Sequence, residues 1–314
     1  MALLRYPGSK EKLAPQITRL FPQEMVLPLN WDSNRWEYRE PFFGAGAVGF
    51  LLLRDLPPSC SIWLNDKDYG IVCLWQAVWR SLDELVERIE GFEPSVEKYE
   101  EYKAKDGDLK GDPLEVGFRK LALHQMSYSG LGYKSGGPLG GREQNNGLYS
   151  VDCRWLPESL YKEAVDLHEV LTKFKSLKIT CKDFSVLMDD NPRAFIYCDP
   201  PYVDKGPELY RHAFAAKDHT RLAGLLHSTK SYWALSYDDH PLVRKLYAWA
   251  RFQELQVTYT AATAINGTRP KNKEVLITPP SQAIGTLAGF GRMGASPITL
   301  KPPPTKLERV KVAA

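Results

Sequence analysis

Residues 40–49 read Glu40-Pro-Phe-Phe-Gly-Ala-Gly-Ala-Val-Gly49, with Gly44, Gly46 and Gly49 in G-x-G-x-x-G spacing. A strand is predicted just before this stretch (36–40) and a helix just after it (47–54). In that context the spacing makes a tight strand-to-helix turn open to a ligand. Glycine is required because any Cβ would hold the ligand away from the backbone. Asp66 closes the next predicted strand about 20 residues on, where a carboxylate can take two ribose hydroxyls. Together the turn and Asp66 predict a nucleoside-containing cofactor. The bulky Pro41-Phe42-Phe43 ahead of the first glycine disfavours a pyrophosphate at the helix N-terminus. S-adenosylmethionine, whose sulfonium suits carboxylate and aromatic neighbours, is therefore preferred to a dinucleotide such as NAD.

Outward from this turn, seven stretches rich in β-branched, aromatic and aliphatic residues read as strands: 36–40, 61–66, 177–183, 194–199, 231–237, 255–262 and 274–278. Helix-like stretches at 47–54, 217–230 and 241–250 separate most of them. Several strands are continuous apolar runs, as in a sheet covered on both faces, so the fold class is α/β and doubly wound. The last two strands are joined by Asn266 to Lys273, which reads as turn and charge, so they form an antiparallel hairpin.

The alternation breaks between about residues 69 and 176, where the reading is helical: 71–79, 81–89, and a segment with Asp112 as N-cap and Pro113 at the first helical position. Within this block, residues 124–155 carry seven glycines and little apolar periodicity. Irregular loops of that length are usually functional or disordered. Tyr128, Tyr133, Lys134, Arg142, Asn145, Asn146 and Arg154 are of the types that read base edges, touch phosphates or wedge into a base stack.

The second informative stretch is Ala194-Phe-Ile-Tyr-Cys-Asp-Pro-Pro-Tyr202. It places Asp199 at the carboxyl end of a strand, where open α/β sheets hold their reaction crevice. The two prolines remove two N–H donors, leaving the Asp199 carboxylate and the Pro200 carbonyl as neighbouring acceptors. Such a corner suits an exocyclic amino group on a nucleobase, with the Tyr202 ring stacking on the base. Two hydrogen bonds from that amino group favour a pyramidal nitrogen whose lone pair can attack a sulfonium methyl. Asp199 or water can take the proton that nitrogen then releases.

Composition narrows the alternatives. The 314 residues are 43% hydrophobic and 25% charged, which excludes disorder as the main state. No apolar run reaches the roughly 18 residues of a membrane span, and the start lacks signal-peptide features, so a cytosolic protein is expected. Cys60, Cys73, Cys153, Cys181 and Cys198 are scattered and read as reduced. The histidines do not cluster; Asp218-His219 and Asp239-His240-Pro241 open helices, so no metal is expected. Trp63, Trp75 and Trp79 read as core. The formal charge of +3 conceals an asymmetry: residues 251–314 hold nine Lys plus Arg against three Glu. An NAD-type oxidoreductase competes for the glycine turn, but it gives the twin-proline corner no role.

Taken together these motifs resemble the adenine-N6 DNA methyltransferases of the Dam-like class, over most of residues 1–280. Arg5-Tyr-Pro-Gly-Ser-Lys10 resembles the family's N-terminal signature, with Ser9 in place of a glycine. Glu40 to Val48, Asn65-Asp66, Cys181-Lys-Asp-Phe184, Asp199 to Tyr202, Asn266-Gly-Thr-Arg269 and Glu274-Val-Leu-Ile277 resemble further family motifs. The resemblance implies a Rossmann-like, seven-stranded S-adenosylmethionine-dependent methyltransferase sheet. Its catalytic part covers 1–70 and 176–280, with a mainly helical target-recognition domain inserted at 71–175 and a mobile basic tail at 281–314. It implies that Tyr6, Lys10, Phe42, Gly44, Gly46, Asp66, Asp183, Phe184 and Asp199 line the cofactor site. Asp199, Pro200 and Tyr202 would be catalytic, and Arg5 would touch DNA. Asn266, Arg269 and Lys271 of the closing hairpin are expected to join it on double-stranded DNA, with the enzyme a monomer or weak dimer. Cytosine-N4 enzymes use the same principle with a tetrapeptide usually carrying Ser in place of Asp. The string Ser127-Tyr-Ser-Gly-Leu-Gly-Tyr133 departs from the hairpin of GATC-specific members and resembles phage-borne relatives.

Overall fold

A computed structural model describes residues 3–4, 13–26, 36–108, 111–145, 147–204, 206–209, 211–258 and 271–280. Two short helices, α1 (Ala14–Thr18) and α2 (Gln23–Val26), precede β1 (Glu37–Glu40), α3 (Gly49–Asp55) and β2 (Ser61–Asn65). Among the described residues five helices then follow: α4 (Tyr69–Arg80), α5 (Leu82–Gly91), α6 (Val96–Lys105), α7 (Pro113–Met126) and α8 (Pro157–Thr172). Next come β3 (Ser176–Thr180), β4 (Ala194–Cys198), α9 (Gly206–Leu209), α10 (Ala216–Ser228) and β5 (Tyr232–Asp238). The last described elements are α11 (Pro241–Leu246), β6 (Arg251–Thr258) and β7 (Lys271–Thr278).

The strands form one seven-stranded sheet in the order β3-β2-β1-β4-β5-β7-β6. β1 to β5 are mutually parallel, and β7 runs antiparallel to both β5 and β6. This is the expected doubly wound α/β sheet with a closing hairpin, of the seven-stranded form that the resemblance implies. Chain direction along the sheet reverses between β1 and β4, so their carboxyl ends face a topological switch point, where such sheets bind ligands.

Side chains alternate across the central strands with period two. Phe195 and Tyr197 of β4, Ala234 of β5 and Leu276 of β7 enter one core, shared with Leu52, Trp75, Leu121 and Leu160. Ile196, Cys198, Leu235, Tyr237, Val275 and Ile277 enter the other, under Leu222 of α10 and Val243 of α11. All five residues of β4 are buried, as its unbroken apolar run requires. In the helical block the Asp112 side chain accepts the Leu114 N–H and Pro113 opens α7, as the sequence predicts. Gly117 lets α7 lie directly on α4: a Cβ there would stand 2.6 Å from the Leu74 nitrogen.

Several boundaries differ from expectation. β3 stops at Thr180 rather than 183, because the Asp183 side chain caps a 3₁₀ turn over Phe184–Leu187. α11 ends at Leu246 rather than at 250. α7 extends to Met126, so the irregular loop begins at Ser127 rather than His124; it holds a 3₁₀ turn at Gly132–Lys134 and a bridge from Ser127 to Pro138. β6 begins at Arg251 rather than 255, and β7 at Lys271 rather than 274, pairing residues expected in the turn with Gln256 to Thr258. A hairpin ladder is made by backbone groups and its register is set by the buried Val275, Leu276 and Ile277, so it tolerates a polar extension. Residues 259–262 of the expected strand and the expected mobile tail at 281–314 lie outside the described residues.

The five cysteines are free. Trp75 is fully buried, whereas Trp63 and Trp79 are half-buried under cations: Arg39 and Lys178 over Trp63, and Arg80 over Trp79. No helix among the described residues is long and apolar enough to cross a membrane.

Candidate active site

Four parallel strands deliver the predicted residues to one edge of the sheet. The glycine turn leaves β1 and is fastened from three sides. The Gly44 N–H donates to Asp66 Oδ2 at 2.8 Å, the Trp75 indole of α4 donates to the Gly44 carbonyl at 2.8 Å, and the Phe43 N–H donates to the Asn65 carbonyl at 2.9 Å. Gly44 and Gly46 have φ of +51° and +69°, in the left-handed region that glycine occupies without strain. A Cβ on Gly44 would meet no described residue within 4 Å, so among the described residues the turn presents bare backbone to the crevice.

Asp66 also accepts the Asp68 N–H at 2.8 Å through Oδ1. The ribose acid is thus held by backbone on both oxygens, and each oxygen retains a further lone pair. Burial pushes its carboxyl up to about 6, with Asp68 adding to the rise and the two N–H donors and Lys120 opposing it. Asp68 in turn caps α4 and receives the buried Lys120 ammonium at 2.6 Å. Glu40 lies at the end of β1 and accepts the Tyr38 phenol at 2.6 Å. Burial holds it well above the usual carboxylate range, and Asp199 and Asp66 reinforce the shift. Glu40, Asp66 and Asp199 therefore form an acidic cluster at the switch point, a setting that favours a cationic ligand.

Asp199 at the end of β4 accepts the Ser236 hydroxyl on Oδ1 at 2.9 Å. Pro200 is buried, and Tyr202 is half-buried, with its phenol donating to Glu274 Oε1 at 3.0 Å and its ring 5.9 Å from that of Tyr237. Burial, Asp199 and Glu274 together push the Tyr202 phenol well above its ordinary value. Phe42 and Phe184 are brought together at 5.5 Å, and Phe214 joins both. Asp183 accepts from Ser185 and pairs with Arg221, whose guanidinium also lies 4.3 Å over Phe184. The Arg221 hydrogen bond holds Asp183 well below the usual carboxylate range.

On the irregular loop, Tyr128 is 64% exposed and Asn145 is exposed. Tyr133 lies 4.1 Å under the Arg211 guanidinium, and the Lys134 ammonium donates to the Pro207 carbonyl at 3.1 Å, so this loop touches the segment that follows Tyr202. Arg142 pairs with Glu100 at 2.8 Å, and Arg154 makes a long 3.5 Å contact to the Ser127 carbonyl. Arg5, Tyr6, Lys10, Asn146, Asn266 and Arg269 lie outside the described residues, and of Lys271 only the backbone is described. No cluster of His, Cys, Asp and Glu among the described residues has metal-binding geometry. His240 caps α11 through Nδ1, as expected of its position.

Sequence reading missed Ser236, Phe214 and Arg211, and named Asn65 and Glu274 only as motif members without a role. Asn65 is buried and ties three strand ends together, donating to the Pro41 and Lys182 carbonyls and accepting from Thr180 and the Lys182 N–H. Its polarity beside Asp66, at the end of an apolar strand, was the available signal.

Residues 6–261 match the family described as D12 class N6 adenine-specific DNA methyltransferase. The Type II methyltransferase M.MjaIII of Methanocaldococcus jannaschii is 26% identical over 212 residues, which cover 63% of this chain and 68% of that protein. Neither finding favours an oxidoreductase or a cytosine-N4 enzyme. Because the family match spans the glycine turn, the helical block and the Asp199 corner, the chain belongs to the D12 class of N6 adenine-specific DNA methyltransferases.

Proposed function

We propose that the methyl donor is S-adenosylmethionine and that the target adenine is turned out of duplex DNA into the crevice between the carboxyl ends of β1 and β4. The observation that carries this reading is the meeting of two unlike sites at the switch point: a bare glycine turn fastened to Asp66, and an acceptor corner at Asp199. The acidic cluster and the open space above Gly44 fit a cofactor that is cationic and carries a ribose. When bound, it supplies an electrophilic methyl on a sulfonium.

Asp66 takes the ribose hydroxyls with its remaining lone pairs, and Gly44 and Gly46 admit the cofactor to the backbone. Phe42 and Phe184 flank its adenine, whose amino group Asp183 accepts; Tyr6 and Lys10 complete the site, as the family motif implies. Asp199 and the Pro200 carbonyl receive the two N–H groups of the target adenine, Tyr202 stacks on its ring, and Asp199 accepts the proton released after transfer. Residues 71–175 serve as the target-recognition part. Tyr128, Tyr133, Lys134, Arg142, Asn145, Asn146 and Arg154 contact DNA there, joined by Arg5, Asn266, Arg269 and Lys271. The enzyme acts in the cytoplasm as a monomer or weak dimer.

Calorimetry and fluorescence test this. S-adenosylhomocysteine is expected to bind and NADH not to bind, and Asp66→Ala should weaken the former at least about tenfold. 2-Aminopurine at the target position should brighten on binding as it leaves the stack. Binding of NADH without S-adenosylhomocysteine, or a target base that stays stacked throughout turnover, would overturn the reading.

A further inference from the structure

Ser236 is a fully buried hydroxyl in the middle of a strand whose neighbours, Leu235 and Tyr237, are core residues. A polar group so placed must find partners. Its Oγ lies 2.9 Å from Asp199 Oδ1, 3.0 Å from the Tyr197 hydroxyl and 3.4 Å from the Cys198 carbonyl.

Ser236 has a single proton to give, and a carboxylate oxygen can only accept, so the shortest contact assigns that proton to Asp199. The Tyr197 phenol then donates to Ser236 Oγ. Burial, reinforced by Asp199, pushes that phenol well above its ordinary value, which keeps its proton in place for this role. The result is a directed chain, Tyr197 to Ser236 to Asp199, that reaches the carboxylate from the core side. Glu40 on β1 also bears on this carboxylate; its own carboxyl is buried, held well above the usual range and bonded by the Tyr38 phenol.

We propose that Ser236 is a positioning residue for methyl transfer: by donating to Oδ1 it fixes the plane of the Asp199 carboxylate toward the target amino group. The terminal torsion of an aspartate is broad and roughly two-fold, so loss of the Ser236 donor widens the range of orientations in which the adenine N–H groups meet the carboxylate off axis. In-line attack is sensitive to such errors, and the loss falls on the chemical step rather than on binding. The proposal rests on the reading of Asp199 as acceptor of the target amino group.

Steady-state kinetics on the full chain, with duplex DNA and S-adenosylmethionine, test it. Ser236→Ala is expected to lower kcat about ten- to a hundredfold, the range for losing a hydrogen bond to a charged group, with both KM values unchanged within about twofold. Ser236→Thr, which keeps the hydroxyl, should restore kcat to within about threefold of the original. If its extra methyl lowers Tm, Ser236→Cys, a weaker donor of similar size, should fall between the original and Ser236→Ala. Undiminished kcat in Ser236→Ala, a loss confined to KM, or an equal kcat loss in the alanine and threonine variants at unchanged Tm would overturn the proposal. Asp199→Ala run alongside separates the two claims. An active Asp199→Ala sinks the reading of Asp199, whereas an inactive Asp199→Ala beside a fully active Ser236→Ala sinks only the role of Ser236.

Discussion

Asp66 shows how a single carboxylate can tie cofactor affinity to pH. Its carboxyl is pushed up from 3.8 to about 6, chiefly by burial. Between those values the folded, ligand-free chain keeps a proton that the unfolded chain has lost, so the contribution of Asp66 to stability falls as pH rises through that window. Ligand binding has the opposite sign, because the ionised carboxylate is the form that accepts two ribose hydroxyls. Affinity for S-adenosylhomocysteine is therefore expected to drop as pH falls below about 6, by up to about tenfold per unit, and Asp66→Asn should flatten the curve. Calorimetric titrations across about pH 5 to 8 check this; a slope surviving in Asp66→Asn would assign it to another group. Tyr202 offers a second test. Tyr202→Phe keeps the stacking ring and loses the bond to Glu274, whereas Tyr202→Ala loses both, so kcat/KM should fall about tenfold or less in the first and further, by up to a hundredfold, in the second. At this scale Asp66, Asp199 and the glycines were legible because their chemistry resides in short-range spacing. Ser236 and Glu274 were not: their partners lie 37 and 72 residues away, and only the sheet brings them together.

Elements were legible where a local mark, an unbroken apolar run or a capping pair, gave them away. β4, buried on both faces, announced itself as an apolar run, and α7 by its Asp112 cap and Pro113. α6, which buries Tyr99 and Tyr102 along ten residues, and α8 were not read as separate helices. The turn between β1 and α3 is the element on which cofactor binding depends. At Gly46 a Cβ would meet Phe50 ring atoms at 2.5 Å and the Phe43 ring at 2.9 Å, on a backbone at φ +69°. Gly46→Ala is accordingly expected to cost about 1–3 kcal/mol and to lower Tm and cofactor affinity together. Gly91→Ala, at the end of α5 with open space around its Cβ, should leave both unchanged. Thermal unfolding with and without S-adenosylhomocysteine measures the difference.

The fold places its two unlike sites at the switch point between β1 and β4, where the order β3-β2-β1-β4-β5-β7-β6 leads the parallel strands off in opposite directions. The α/β class and the antiparallel closing hairpin followed from apolar runs and helix spacing. Which strands become neighbours depends on long-range packing that no local pattern encodes, and the seven-stranded form was expected through resemblance. Charge is also a property of this scale. Arg269, Lys271 and Lys273 of the predicted hairpin, if each meets a phosphate, give a DNA-binding slope of about −3 in log K against log salt. Fluorescence anisotropy on a duplex measures that slope, and a flat titration would remove the basic segment from the interface. The most direct test of the account is to incubate the protein with S-adenosylmethionine and duplex DNA, digest the DNA to nucleosides and identify the methylated product. N6-methyldeoxyadenosine from the unaltered chain and none from Asp199→Ala is the predicted result; methylation at cytosine, or undiminished N6-methyldeoxyadenosine from Asp199→Ala, would contradict it.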